Sequence, residues 1–136
     1  MKKIIYLSAF VIAIIFVGTS CHKYEEGGYA SKGRLCKTWK YVKKQIGSVE
    51  IPENGSDAVV FNKDGKGEIK FSSAQGAFSL NFNWEWAEEK DGVNISYNKD
   101  SFGELILQTG TYTIVKLTTK ELWLKRENIV KKFEKQ

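Results

Sequence analysis

The chain has 136 residues, a formal charge of +5, one histidine, one proline and two cysteines. Losing Lys2 and Lys3 with a leader lowers that charge by two, a surplus too mild to argue for nucleic acid. One histidine, His22 beside the N-terminal segment, excludes a Ser-His-Asp or Cys-His arrangement inside a folded domain, and too few ligands remain for zinc.

Met1-Lys2-Lys3 forms a positive start, residues 4–17 an apolar run, and Gly18-Thr19-Ser20 a small-residue stretch before Cys21, the order of a secretory leader. An apolar run of about 14 residues is short for a helix that must cross ~30 Å of hydrocarbon, which takes about 20. Small residues directly before a cysteine resemble the bacterial lipoprotein signal. That resemblance implies cleavage after residue 20 and acylation of Cys21 as a lipid anchor, since two or more chains hold a soluble domain at a membrane where one does not. Residues 21–33, polar and with Gly27-Gly28, read as a flexible tether. Within it, residues 23–26 either simply solubilise the tether or resemble the acidic cluster that marks some Gram-negative lipoproteins for the outer leaflet, so the expected address is the outer membrane of the cell envelope, with either the periplasmic or the outward orientation open. Cys36 is left without an intramolecular partner and reads as a small buried residue.

The folded part begins near residue 34. Residues 35–46 carry β-branched and aromatic side chains and predict a first strand. Residues 48–57, with Pro52 and Asn54-Gly55, predict a loop. Residues 58–61 and 68–71 flank Asn62-Lys63-Asp64-Gly65-Lys66-Gly67, a predicted hairpin. From 78 to 86 the pattern is strictly alternating, with Phe78, Leu80, Phe82, Trp84 and Trp86 on one side and polar residues on the other. Period two marks a strand with one apolar face, which must be buried against a second sheet or against the same sheet closed on itself. Val93, Ile95 and Tyr97 alternate in the returning strand. Residues 105–107 and 112–115 are two apolar runs around Thr109-Gly110, either two short strands or one bent strand. Residues 118–120 predict a turn into Glu121-Leu122-Trp123-Leu124-Lys125. Residues 127–136 read as a C-terminal tail, in which Ile129, Val130 and Phe133 would share one side of a short helix. The sum is an all-β antiparallel meander of seven to eight strands, closing into a small barrel or sandwich.

Leu35, Thr38-Trp39-Lys40, then Val60-Phe61-Asn62 with Asp64-Gly65, a Trp-bearing strand, and Tyr112, Ile114-Val115, Leu117-Thr118, Leu122 and Leu124 follow one another in an order that resembles the small lipocalin-like domains of secreted and lipid-anchored bacterial proteins. The resemblance spans residues 34–126 and implies a barrel with Trp39 packed across its closed end. In that family a glycine precedes this tryptophan by two positions, where Lys37 stands here.

No catalytic group, metal or cofactor is predicted. Glu25-Glu26 and Glu88-Glu89 fall in tether and turn, where solvated charge accounts for them, and Asp64-Gly65 and Asp91-Gly92 are turn formers with too few oxygen ligands for calcium. The candidate site is the barrel interior. Trp39, Phe78, Leu80, Phe82, Trp84, Trp86, Val93, Ile95, Tyr97, Leu122 and Leu124 would either line a cavity for a small hydrophobic ligand or fill the barrel themselves. Trp123 alternates away from Leu122 and Leu124 and is expected outside, as a surface contact for a protein or glycan. Two functions stay open: a membrane-anchored carrier of a hydrophobic ligand, and a non-enzymatic envelope interaction module that binds through its outer face.

Overall fold

The computed structural model describes residues 23–53, 56–98 and 106–136. After a four-residue helix, α1 (Lys32–Leu35), the described chain is β structure: β1 (Thr38–Ile46), β2 (Val49–Pro52), β3 (Ala58–Phe61), β4 (Lys66–Ser73), β5 (Gly76–Trp86), β6 (Gly92–Ser96), β7 (Gly110–Leu117), β8 (Glu121–Arg126) and β9 (Ile129–Lys135). Every neighbouring pair is antiparallel. The pairing of β1 with β9 closes β1 and β3–β9 into an eight-stranded up-and-down barrel, and β2 is an added strand hydrogen-bonded to the upper half of β1. Closure removes the unpaired edges that an open meander of this length would expose.

Side chains alternate across this wall. Trp39, Val59, Phe61, Ile69, Phe82, Trp84, Val93, Ile95, Tyr112, Ile114, Leu122, Leu124 and Phe133 form the interior. Phe61 meets the rings of Phe82 and Trp84 edge-on, each at 5.6 Å between centroids, and Trp84 meets Trp86 in the same way at 5.6 Å. The Trp84 indole N–H reaches the carbonyl oxygens of Asn62 and Lys66 at 2.9 and 3.1 Å, so its polar edge is not left unpaired in the core. Opposite Phe82 stands Gly67, where a Cβ would come within 2.2 Å of the phenyl ring. The glycine makes room for the aromatic residue across the strand pair.

Several expectations are corrected. The expected opening strand over 35–46 is a helical turn followed by a strand from Thr38, because the Leu35 and Cys36 amides donate to the carbonyls of Ser31 and Lys32. Residues 49–52 are a strand and not a loop: Gly47, at φ +61, makes with Ser48 a two-residue turn that folds Val49 back onto Ile46. Residues 106–107 belong to no strand. The expected terminal helix is β9, so the domain does not end at 126. Glu127, at φ +57, and Asn128 form a two-residue turn, and β9 pairs on both sides, with β8 and β1.

The expected flexible tether is also corrected over its described part. Tyr24 is buried and its hydroxyl donates to the Lys90 carbonyl at 2.8 Å. The Glu26 amide donates to Val115, Gly28 forms a parallel bridge with Leu117, and Lys23 pairs with Asp91 at 3.1 Å. At Gly28, φ +100, a Cβ would fall 1.6 Å from the Leu117 carbonyl oxygen. Residues 23–28 are therefore strapped against β7 and the β5–β6 turn. Cys21, its proposed acylation and the leader lie outside the described residues.

Candidate functional site: the mouth of the barrel

One end of the barrel is shut. Leu35 is fully buried there, and the indole N–H of Trp39 donates to its carbonyl oxygen at 2.8 Å, which places Trp39 in the core close to α1. Cys36 is half-buried beside this core as a free thiol, and burial pushes its pKa up, away from the thiolate that a reactive cysteine needs.

The other end carries the distinctive chemistry. Two hairpins rise there past their neighbours. β4 and β5 continue beyond Lys70, the last residue paired with β3, through the partners Phe71 and Phe78, whose rings stack at 5.7 Å. Phe78 is 45% exposed although it lies on the inner face. On the opposite side, a register shift between Tyr41 and Lys43 in β1 resets the alternation, so that Lys44 and Ile46 share a face with Lys131 and Ile129 and with Ile51 and Val49. Lys131 is the cross-strand partner of Leu124, a buried interior residue, which fixes that shared face as the inner one. Val49 and Ile51 are 60% and 39% exposed. Val49, Ile51 and Phe78 thus form an exposed apolar rim above the buried core.

Across this opening lies the described end of the β6–β7 connection. Leu107 is fully buried, with Ile106 packed against the same cluster. Inward-facing polar side chains hold this segment by its backbone. The Tyr97 hydroxyl donates to the Leu107 carbonyl at 2.7 Å, and the Gln108 amide donates to the Tyr112 hydroxyl at 2.8 Å. Arg126 donates to the Thr109 carbonyl at 3.0 Å while its guanidinium lies 5.7 Å from the Tyr112 ring centroid, and the Lys131 ammonium donates to the Ile106 carbonyl. Gly110, at φ +136, gives the guanidinium space, since a Cβ there would stand 3.2 Å from it. Burial raises the Tyr97 and Tyr41 hydroxyls well above the usual phenol range, with Tyr112 adding to the first and the Glu53 carboxylate to the second. Both stay neutral at any physiological pH, which keeps the Tyr97 hydroxyl a donor to Leu107.

The sequence-predicted lining residues divide between these regions. Trp39, Phe82, Trp84, Val93, Ile95, Leu122 and Leu124 are buried together as interior packing. Trp86 is only partly buried, with the Lys90 ammonium 5.9 Å from its ring centroid. Leu80 is half-buried, Tyr97 is part of the mouth, and Phe78 stands on the rim. Trp123 is on the outer face but not bare: the ammonium groups of Lys116 and Lys132 lie 4.6 and 4.0 Å from its ring centroid, and Lys132, itself 7% exposed, also pairs with Glu50 at 2.6 Å. Sequence reasoning missed Leu107 as a plug and Lys44, Arg126 and Lys131 as mouth residues. For Arg126 a signal existed, because the alternation of Leu122 and Leu124 continues into it.

Among the described residues no three His, Cys, Asp or Glu side chains are grouped to hold a metal ion. No family model matches the sequence, and no curated protein shows significant similarity to it. Two solved structures share the fold. A lipocalin-like protein from Bacteroides uniformis ATCC 8492 aligns at a TM-score of 0.62 with 18% identity, over 76% of this chain and 100% of that one. An uncharacterized protein from Bacteroides eggerthii DSM 20697 aligns at 0.59 with 19% identity, over 75% and 99%. With its closed antiparallel wall, plugged mouth and one added strand, the chain has an all-β, lipocalin-like barrel fold.

Proposed function

We propose that this protein is a membrane-anchored, non-enzymatic binding module that takes a small hydrophobic molecule at the mouth of its barrel. The observation that carries the reading is Leu107, an aliphatic side chain on a connecting segment that fills the mouth while the apolar rim around it, Val49, Ile51 and Phe78, stays exposed. A loop side chain held by a few backbone contacts is a replaceable occupant in a way that strand residues of the wall are not. An apolar ligand that lifts residues 106–108 would exchange one apolar contact for another and would gain the rim.

The anchor is the acylated Cys21 that the leader resembles. The strapping of residues 23–28 supports a short linkage, because an acyl chain at position 21 would leave almost no slack before the folded domain. The proposed address is the outer membrane. The alternative use of the outer face through Trp123 is disfavoured by the two lysine ammonium groups already seated at that ring.

Tryptophan fluorescence titration of the purified chain with a panel of apolar small molecules tests the carrier reading. Saturable quenching that is lost when Leu107 is replaced by Trp, which overfills the mouth, is the expected result. An unchanged spectrum across the panel contradicts it. Labelling with radioactive palmitate, abolished by Cys21→Ser, tests the anchor.

A further inference from the structure

We infer that residues 23–28 hold the barrel on the membrane by its closed end, with the cations around α1 against the phosphate headgroups of an anionic leaflet and the mouth turned away from it; this rests on the Cys21 anchor proposed above. The strap is a tight loop at the closed end. The Gly27 amide donates to the Tyr24 carbonyl at 2.9 Å and the Lys23 amide to the Gly28 carbonyl at 2.8 Å, so the chain enters and leaves the loop side by side. From Gly28 it runs parallel to β7 toward the β7–β8 turn, with the Tyr29 amide donating to the Leu117 carbonyl at 3.1 Å. Lys23 and Tyr24 are fastened to Asp91 and Lys90, in the β5–β6 turn at the same end. Cys21 stands two positions before Lys23, a reach of at most about 7 Å. The mouth lies well beyond that reach, since β5 from Trp86 up to Phe78 on the rim covers about 20 Å along the axis of a barrel with tilted strands.

The closed end is charged unevenly. Lys32, Arg34, Lys37, Lys63, Lys120 and Lys135 gather around α1. The Lys32 ammonium reaches the Lys63 carbonyl at 3.5 Å, the Lys37 ammonium reaches the Thr119 carbonyl at 3.2 Å, and the Lys135 amide donates to the Lys120 carbonyl at 2.9 Å. Burial lowers the Lys37 pKa, and repulsion from Lys135 and Arg34 lowers it further. Among the described residues none of these six side chains enters an ion pair, although the Arg34 guanidinium lies 4.7 Å from the Tyr29 ring centroid. The carboxylates beside them are Asp64, which accepts from the Lys66 amide, Glu134, and that of Gln136, whose amide bonds to Thr38. Glu121 is taken by Lys116. The other acids of this end, Glu25, Glu26, Glu88, Glu89 and Asp91, lie on the strap and the β5–β6 turn together with Lys23 and Lys90. Cations that repel one another and outnumber the acids among them are stabilised by a surface of opposite charge. An anionic leaflet at the short reach of the anchor lies within a Debye length of them, and its repulsion of the acids across the end tips the α1 side toward it. A ligand then reaches the mouth from the aqueous side and not out of the leaflet that carries the anchor.

The test uses the acylated full chain in vesicles that contain phosphatidylglycerol and lipids spin-labelled in the headgroup. A fluorophore is placed on Thr119→Cys at the closed end or on Val49→Cys at the mouth, and the parent chain, which keeps Cys36, supplies the background. Quenching at position 119 is expected to exceed that at position 49 by about threefold or more, given their separation along the barrel. Equal quenching, or stronger quenching at 49, overturns the orientation. Lys63 and Lys135 are exposed, so Lys63→Gln together with Lys135→Gln leaves the fold intact. That pair of changes, or vesicles of phosphatidylcholine alone, should lower quenching at 119 about twofold. No change in either case overturns the headgroup contact. Palmitate labelling of the same preparation separates this inference from the reading beneath it. A labelled chain quenched at the mouth sinks the orientation and leaves the anchor standing, whereas absence of label at Cys21 overturns both.

Discussion

The indole N–H of Trp39 donates to the carbonyl oxygen of Leu35 across 2.8 Å, and both residues are completely buried. This one bond ties the short helix α1 to the first barrel strand and shuts one end of the barrel. Trp39→Phe keeps most of the apolar volume and removes one of two hydrogen bonds to the Leu35 carbonyl, which still accepts from the Lys37 amide at 2.8 Å, for an expected loss of about 1 kcal/mol. Trp39→Ala also opens a cavity and should cost about 3–5 kcal/mol. Urea denaturation of the two variants beside the parent measures both, and a Trp39→Phe variant as stable as the parent would show that the bond contributes nothing.

Gly67 is required by a neighbour more than by its own backbone. Because its Cβ would enter the Phe82 ring, Gly67→Ala should destabilise the fold by about 1–3 kcal/mol through overpacking. Pairing the change with Phe82→Leu should recover part of that loss. A double variant no more stable than the sum of the single changes would count against the contact.

Leu107 has two roles in this account, and they predict opposite changes. Leu107→Ala removes packing and should lower stability by about 2–5 kcal/mol, or less if residues 106–108 collapse inward. The same change vacates the mouth, so an apolar fluorophore that lights up on burial should bind more strongly to the variant under native conditions. Reduced stability without increased uptake would mean that the leucine is core and nothing else.

Alkali should unfold the protein through its buried phenols. Tyr24 has its pKa pushed up from 10.0 to about 12, first by burial and then by Asp91. The folded value lies above the unfolded one, so the contribution is complete below pH 10 and falls away as pH rises from there through about 12. Tyr41 and Tyr97 shift in the same direction. Tyrosinate absorbance and circular dichroism should therefore change together in that window. Early, independent titration of all the phenols in the native state would contradict this.

The strapped N-terminal segment predicts protease resistance. Trypsin should cut slowly at Lys32 and Arg34 in the native protein. Gly28→Ala sets a Cβ against the Leu117 carbonyl at a positive φ, which should detach residues 23–28 and speed that cleavage while the barrel's circular dichroism persists.

Alternation alone determined that residues 78–86 form a strand with one aromatic face, that Val93 and Ile95 return beside it, and that the whole is an antiparallel meander, because period two is a local property that each strand carries in its own side chains. It could not determine that Ile129–Lys135 is a strand: Ile129, Val130 and Phe133 satisfy helical and extended spacing alike, and pairing with both β8 and β1 decides between them. Nor could it place the mouth. The inner position of Lys44 follows from a register shift in β1, that of Lys131 from its partner Leu124, and the placing of the plug Leu107 from polar contacts of its segment with Tyr112, Arg126 and Lys131 on three different strands. Strand identity is written residue by residue, whereas register and closure depend on partners distant in the chain, and only the folded barrel brings those together.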